Sequence, residues 1–253
     1  RVAAELVRAP TEVAVWSRSF QADSTDDYFR IQGEIAGQVS QGMGVALGAG
    51  DRTKLAARPT TNAEAYDLYL RARIALDRSH AVASYRDAEA LLQRAVELDA
   101  SFALAWAALV EAHMELYWFW GDRTQHRLDL ALTAANRAAA LAPDAAETHF
   151  AMALIAYHGH LDYPRALEQF RAALAADPGQ ARFYEYIAYV QRRAGQFEDA
   201  LLSMRRALEL NPLASTVVSG LAEILVGLGR PAEAKPIADR AVELAPTDWL
   251  AHL

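Results

Sequence analysis

Hydrophobic spacing changes period along the chain. From Val13 to Phe20 apolar and polar residues alternate, with Val13, Val15 and Ser17 on one face and Ala14, Trp16 and Arg18 on the other, which predicts a half-buried strand. Val2 to Val7 reads as its hairpin partner, with Ala9-Pro-Thr11 as the turn. Asp23 to Asp27 then offer capping side chains for a helix from about Tyr28 to Leu47, along which Ile31, Ile35, Val39 and Met43 stand four apart. Farther on a seven-residue spacing takes over. Ala88, Ala131, Ala166, Ala200 and Ala234 each stand seven residues before a second alanine: Ala95, Ala138, Ala173, Ala207 and Ala241. Seven residues are close to two helical turns, so each pair lies on one helix face and lets a neighbouring helix approach. Leu92, Ala135, Phe170, Met204 or Ala238 fills the space between, and Pro143, Pro178, Pro212 or Pro246 closes all but the first segment.

The blocks opened by the second alanines are separated by 43, 35, 34 and 34 residues. A two-helix unit repeating near 34 residues is the period of a helical solenoid. The first helix of each unit shows large residues at i, i+3: Trp106 and Leu109, His149 and Met152, Tyr184 and Ile187, Val218 and Leu221. Small residues follow at Ala153, Ala188 and Ala222, with Val110 as the bulkier counterpart. The 43-residue interval places about nine extra residues between the helices of the second unit, around Tyr117 to His126, and the first unit is stretched near Ser79 to Tyr85.

In this register the chain resembles the tetratricopeptide repeat family from about residue 63 to 253. Tyr184 to Pro212 carries the likeness most fully, through Ile187, Ala188, Gly195, Ala200, Ala207 and Pro212, and the next unit repeats Gly229, Ala234, Ala241 and Pro246. The N-terminal part is similar to the last strands and helix of the TolB-like, or FlgO-like, domain of multidomain bacterial signalling proteins. Arg1 to Val7, Val15 to Phe20 and Ile31 to Ile35 carry that likeness, and Ala56 to Leu70 is similar to the linker and first repeat helix of the same proteins. Such proteins place a winged-helix or adenylate cyclase domain ahead of the array. The expected fold is therefore mainly α: an α-α superhelix of about five repeats over 63–253, preceded by a truncated hairpin-plus-helix segment over 1–50 and a linker over 51–62.

Composition narrows function. With 25 basic against 32 acidic residues, a net charge of -7, a dedicated nucleic-acid surface is not expected. No cysteine is present, which removes disulfides and thiolate metal sites and suits a cytoplasmic location. The most apolar stretch, Phe102 to Trp120, is interrupted by Glu111, His113 and Glu115 and lies in phase with the repeats, so it reads as a buried helix and not a membrane span. A chain that starts at Arg1 without methionine reads as a piece of something longer.

The candidate chemistry is thin. Gly42 to Gly50 is glycine-rich, but the third glycine of a dinucleotide fingerprint would fall on Leu47, and the run follows a helix instead of a strand. His158-Gly-His160 has only Asp162 as a nearby acidic ligand and reads as a turn. Glu111 and Glu115 share a helix face, a pairing that can do acid and base work, yet no nucleophile or metal motif accompanies them. No catalytic, cofactor-binding or metal-binding residue is assigned, and the chain is not read as an enzyme.

The first helices of such an array line a concave groove suited to a protein or peptide partner. By register that groove includes Glu111 and Met114 from the second unit and Glu147, Phe150, Leu154 and Tyr157 from the third. Arg182, Glu185, Tyr189 and Arg192 follow from the fourth, with Ser219 and Glu223 from the fifth. Arg182, Arg192 and Arg193 would admit an acidic segment. The run Tyr117, Trp118, Phe119 and Trp120 either caps a longer helix internally or forms a binding patch for a partner or small molecule. A non-catalytic interaction module is the leading expectation, the C-terminal regulatory part of a bacterial signalling protein. The alternative is an architectural module that dimerises through the open hairpin edge at Val2 to Val7 and positions an upstream cyclase or DNA-binding domain.

Overall fold

A computed structural model of the protein describes residues 2–8, 13–21, 25–42, 59–78 and 81–246, which form two units, 1–66 and 67–253. The predicted turn at residues 9–11, the glycine-rich run from 43 to 50 and Ser79 lie outside the described residues.

In the first unit the alternation at residues 13–20 becomes strand β2 (Val13–Phe20), antiparallel to β1 (Val2–Arg8). Pairing runs from Val2 opposite Phe20 to Arg8 opposite Val13, with one irregularity between Leu6 and Val7. Helix α1 (Thr25–Gly42) begins three residues earlier than the spacing predicts, and the last five residues of the predicted helix, 43–47, lie outside the described residues. Ile31 and Phe20 are buried, the Phe20 ring lies 6.2 Å from Trp16, and Arg18 pairs with Glu34 on the helix.

Ten helices follow among the described residues: α2 (Ala63–Arg78), α3 (Val82–Leu98), α4 (Ala103–Phe119), α5 (Gln125–Leu141), α6 (Ala146–Leu154), α7 (Tyr163–Ala176), α8 (Ala181–Arg193), α9 (Phe197–Leu210), α10 (Ser215–Gly227) and α11 (Pro231–Leu244). They form five consecutive pairs in a tetratricopeptide-like solenoid. Asn62 opens the first of them, its Oδ1 accepting from Ala65 N–H at 3.0 Å.

The alanine register has the predicted consequence. All ten paired alanines are 3% exposed or less, and Leu92, Phe170 and Met204 between them are fully buried. Each second helix ends the same way: Asp99, Ala142, Asp177, Asn211 and Ala245 adopt φ between -139° and -148° and donate their N–H to the carbonyl of the second alanine. Four of these five precede a proline, which pushes the residue before it out of the helical region.

The irregular intervals have distinct causes. In the third pair α6 and α7 start at 146 and 163, seventeen residues apart, whereas the starts at 181 and 197, and at 215 and 231, are sixteen apart. The one extra residue is taken up by a π-helical turn, Ile155–Gly159, continuing α6. As a result the left-handed residue that ends the first helix, Gly195 and Gly229 in the later pairs, becomes Leu161 at φ 55°. The nine extra residues of the second pair enter mostly as helix. Relative to α8 and α9, α4 gains four residues and α5 three, and the connection is only two longer. Arg127 fastens this extension, reaching Glu89 of α3 at 2.5 Å, Asp122 at 2.7 Å and His113 Nδ1 of α4 at 2.9 Å.

Gly220 is a point of close approach in the middle of α10. A Cβ there would stand 2.7 Å from Met204 Cε and 3.0 Å from Tyr189 Cε1. Gly220→Val is expected to cost about 1–3 kcal/mol by overpacking, read as a lower urea midpoint with an unchanged slope. Wild-type stability in that variant would show that the contact is not confining.

Candidate functional site

First helices in this array are packed on several sides, and a narrow strip of each borders a common cleft. On α2 that strip holds Tyr69, Arg73 and Asp77, and on α4 Glu111, Glu115 and Trp118. On α8 it holds Arg182, Glu185, Tyr189 and Arg192, and on α10 Thr216, Ser219 and Glu223, always at steps of three or four residues. With Glu147 of α6 and Tyr157 and His158 of the π-helical turn, these strips line one cleft of about 600 Å³ in the second unit.

Charge in the cleft is arranged in internal pairs. Glu111 is buried and takes Arg73 at 2.5 Å and Arg182 at 3.0 Å on the same carboxylate oxygen. Arg73 also reaches Asp77 at 3.1 Å, and Arg192 pairs with Glu223 at 2.6 Å. Arg193 Nε donates to the Tyr157 hydroxyl at 2.9 Å, and its guanidinium lies 4.7 Å from the Trp118 ring. Tyr189 places its hydroxyl 2.9 Å from Glu185 and 3.2 Å from the Thr216 carbonyl.

Two carboxyls one turn apart on α4 titrate in opposite directions. Burial pushes the Glu111 carboxyl upward, but Arg73 and Arg182 together outweigh it and hold the group below its ordinary range. Glu115 accepts from the Tyr186 hydroxyl at 2.6 Å and bonds to Tyr85. Burial pushes it up to about 8, with Glu111 and Glu185 adding to the rise. His158 is likewise buried; desolvation first, then the nearby Arg193 and Arg123, lower its pKa to about 3 and leave the ring neutral. Trp118 stacks on it at 4.8 Å and 9°.

The tetratricopeptide repeat family model matches residues 159–212 and 187–248. The repeats are also similar to the solved structure of a thermophilic TPR protein of Thermus thermophilus, with a TM-score of 0.58 at 21% identity over 74% of this chain and 95% of that one. The structure of PilW, a widely conserved type IV pilus biogenesis factor, gives a TM-score of 0.54 at 20% identity over 74% of this chain and 80% of that one. Over 155 residues, 61% of its length, the chain is 28% identical to a Rhizobium meliloti (strain 1021) protein that carries an adenylate cyclase name, and it spans 26% of that relative. No helix among the described residues is long and apolar enough to cross a membrane.

Several residues expected in the groove of the repeats are elsewhere. Met114 and Leu154 are fully enclosed, and Phe150 is 2% exposed, packed 5.5 Å from Phe170 of α7 and 5.1 Å from Phe183 of α8. Their helices are gripped by the neighbouring repeat as well as by their own partner, which buries a wider arc than the family register allows. An acidic ligand would find Arg182 and Arg192 already paired. The aromatic run divides: Trp118 packs against His158 between the guanidiniums of Arg123 and Arg193, while Phe119 and Trp120 are more than a third exposed. Tyr69, Arg73 and Asp77, absent from the sequence-based groove, had a visible signal in their four-residue spacing on α2, the same spacing as Glu111 and Glu115.

Proposed function

We propose that the array is a non-catalytic protein-interaction module that receives a peptide or protein segment in this cleft. The observation that carries the reading is that first helices of all five pairs contribute to one continuous cavity wall, from Tyr69 on α2 to Glu223 on α10. A wall spread over five repeats suits an extended ligand better than a compact one. The N-terminal resemblance and the Rhizobium meliloti relative support placing the array in the C-terminal part of a bacterial signalling protein.

Affinity capture with the purified chain from its source cells is expected to recover a protein partner. The double variant Tyr189→Ala, Arg192→Ala is expected to weaken that binding at least about tenfold, since tyrosine and arginine anchors dominate interface energies, while its circular dichroism stays helical. A partner held equally well by the double variant would remove the cleft from the interaction.

A further inference from the structure

Each guanidinium of the cleft already pairs within this chain: Arg73 and Arg182 with Glu111, Arg192 with Glu223, and Arg193 with Tyr157 and Trp118, and Arg192 Nε alone among them is a buried donor with no hydrogen-bond partner among the described residues. Apart from that one N–H, a carboxylate ligand would have to displace those partners. Glu115 stands in contrast. It is 3% exposed yet lines the cavity, its contacts are the phenols of Tyr186 and Tyr85, and it forms no ion pair among the described residues. The Tyr186 ring that donates to this carboxyl itself lies 5.9 Å from Tyr189 and 6.2 Å from His158. His158, also 3% exposed and on the cavity wall, has an Nδ1 with no hydrogen-bond partner among the described residues. In the neutral ring with Nε2 protonated, that nitrogen is an acceptor.

Aromatic faces attract cations through their quadrupole, and a carboxylate and an imidazole nitrogen take the cation's N–H groups. We propose that Glu115, between Tyr85 and Tyr186, receives a lysine or arginine side chain of the segment bound in the cleft. This rests on the groove reading above and names the residue class that the groove selects.

Uptake of the cation is linked to a proton. Facing Glu115 are Tyr85 from α3, Tyr186 and Glu185 from α8, and Glu111 on its own helix, whose charge is matched by Arg73 and Arg182. With the carboxyl pushed up to about 8, a bound cation favours its ionised form and releases the proton. Basic ligands should therefore bind better as pH rises.

Pools of short acetylated peptides, each with a central lysine, arginine, norleucine or glutamate and all other positions randomised, provide the test on the intact chain, beside n-butylguanidinium read by tryptophan fluorescence. Lysine and arginine pools are expected to bind at least about tenfold tighter than the others, the effect of one charged hydrogen-bonded contact. Glu115→Gln should erase the preference with its circular dichroism intact. Between about pH 6 and about pH 9 the basic pools should gain more than about tenfold in wild type and stay level in the variant. Binding without basic preference, or a preference that survives Glu115→Gln, overturns the inference and leaves the groove reading standing. A response to n-butylguanidinium with no pool bound reassigns the site to a free cation and overturns the peptide source. If neither pools nor n-butylguanidinium bind, both readings fall.

Discussion

Phe170→Ala is expected to lower the unfolding free energy by about 3–5 kcal/mol, the range for emptying a buried aromatic site. Phe170 is fully buried on α7, with Phe150 of α6 at 5.5 Å and Tyr186 of α8 at 5.8 Å. Three helices therefore border the cavity that alanine would leave, and none can close it without shifting the others. Because a repeat contacts only its neighbours, the loss should be local. Hydrogen exchange would show faster opening across α6 to α8 and less change in α11, while urea unfolding gives the total. A loss under about 1 kcal/mol would mean that the ring cluster collapses onto the gap.

Phe170 is also a residue whose role was legible before the structure. Its place midway between Ala166 and Ala173 marks it as the filler of an interhelical space, and the same logic locates Leu92 and Met204. Such positions are readable because small, large and turn residues recur in one register, and a mistaken register would fail in every repeat together. The cleft was less legible. Met114, Phe150 and Leu154 are buried on first helices, and for Phe150 the next repeat joins the helix's own partner in covering the ring, with Phe183 of α8 at 5.1 Å and Phe170 of α7 at 5.5 Å. Helical spacing assigns residues to a face without saying how many neighbours press on it. The π-helical turn illustrates another limit. The 35-residue interval announces one extra residue, but whether it widens a loop or a helix depends on packing of Ile155 to His158, all of which are buried.

The sharpest separation by environment is between Glu111 and Glu115, identical side chains one turn apart. Glu111→Gln is expected to destabilise by about 3 kcal/mol near neutral pH, because two largely buried guanidiniums lose the carboxylate they share. The folded-state pKa of Glu111 is depressed, so its stabilisation is present above the ordinary glutamate range and fades as acid titrates the folded carboxylate. Glu115 runs the other way. Its folded pKa is raised from 4.5 to about 8, so the folded protein holds the proton more tightly than the unfolded chain, and the resulting stability is full below 4.5 and lost as pH climbs through 8. Glutamine keeps the shape and removes the titration. Glu115→Gln should therefore gain on wild type with rising pH, by on the order of 5 kcal/mol between acid pH and pH 9. Urea unfolding of the three proteins from acid to alkaline pH would show one stability difference opening at low pH and the other at high pH. Parallel curves would mean that the phenols around Glu115 and the guanidiniums around Glu111 offer equivalent surroundings, which their contacts contradict.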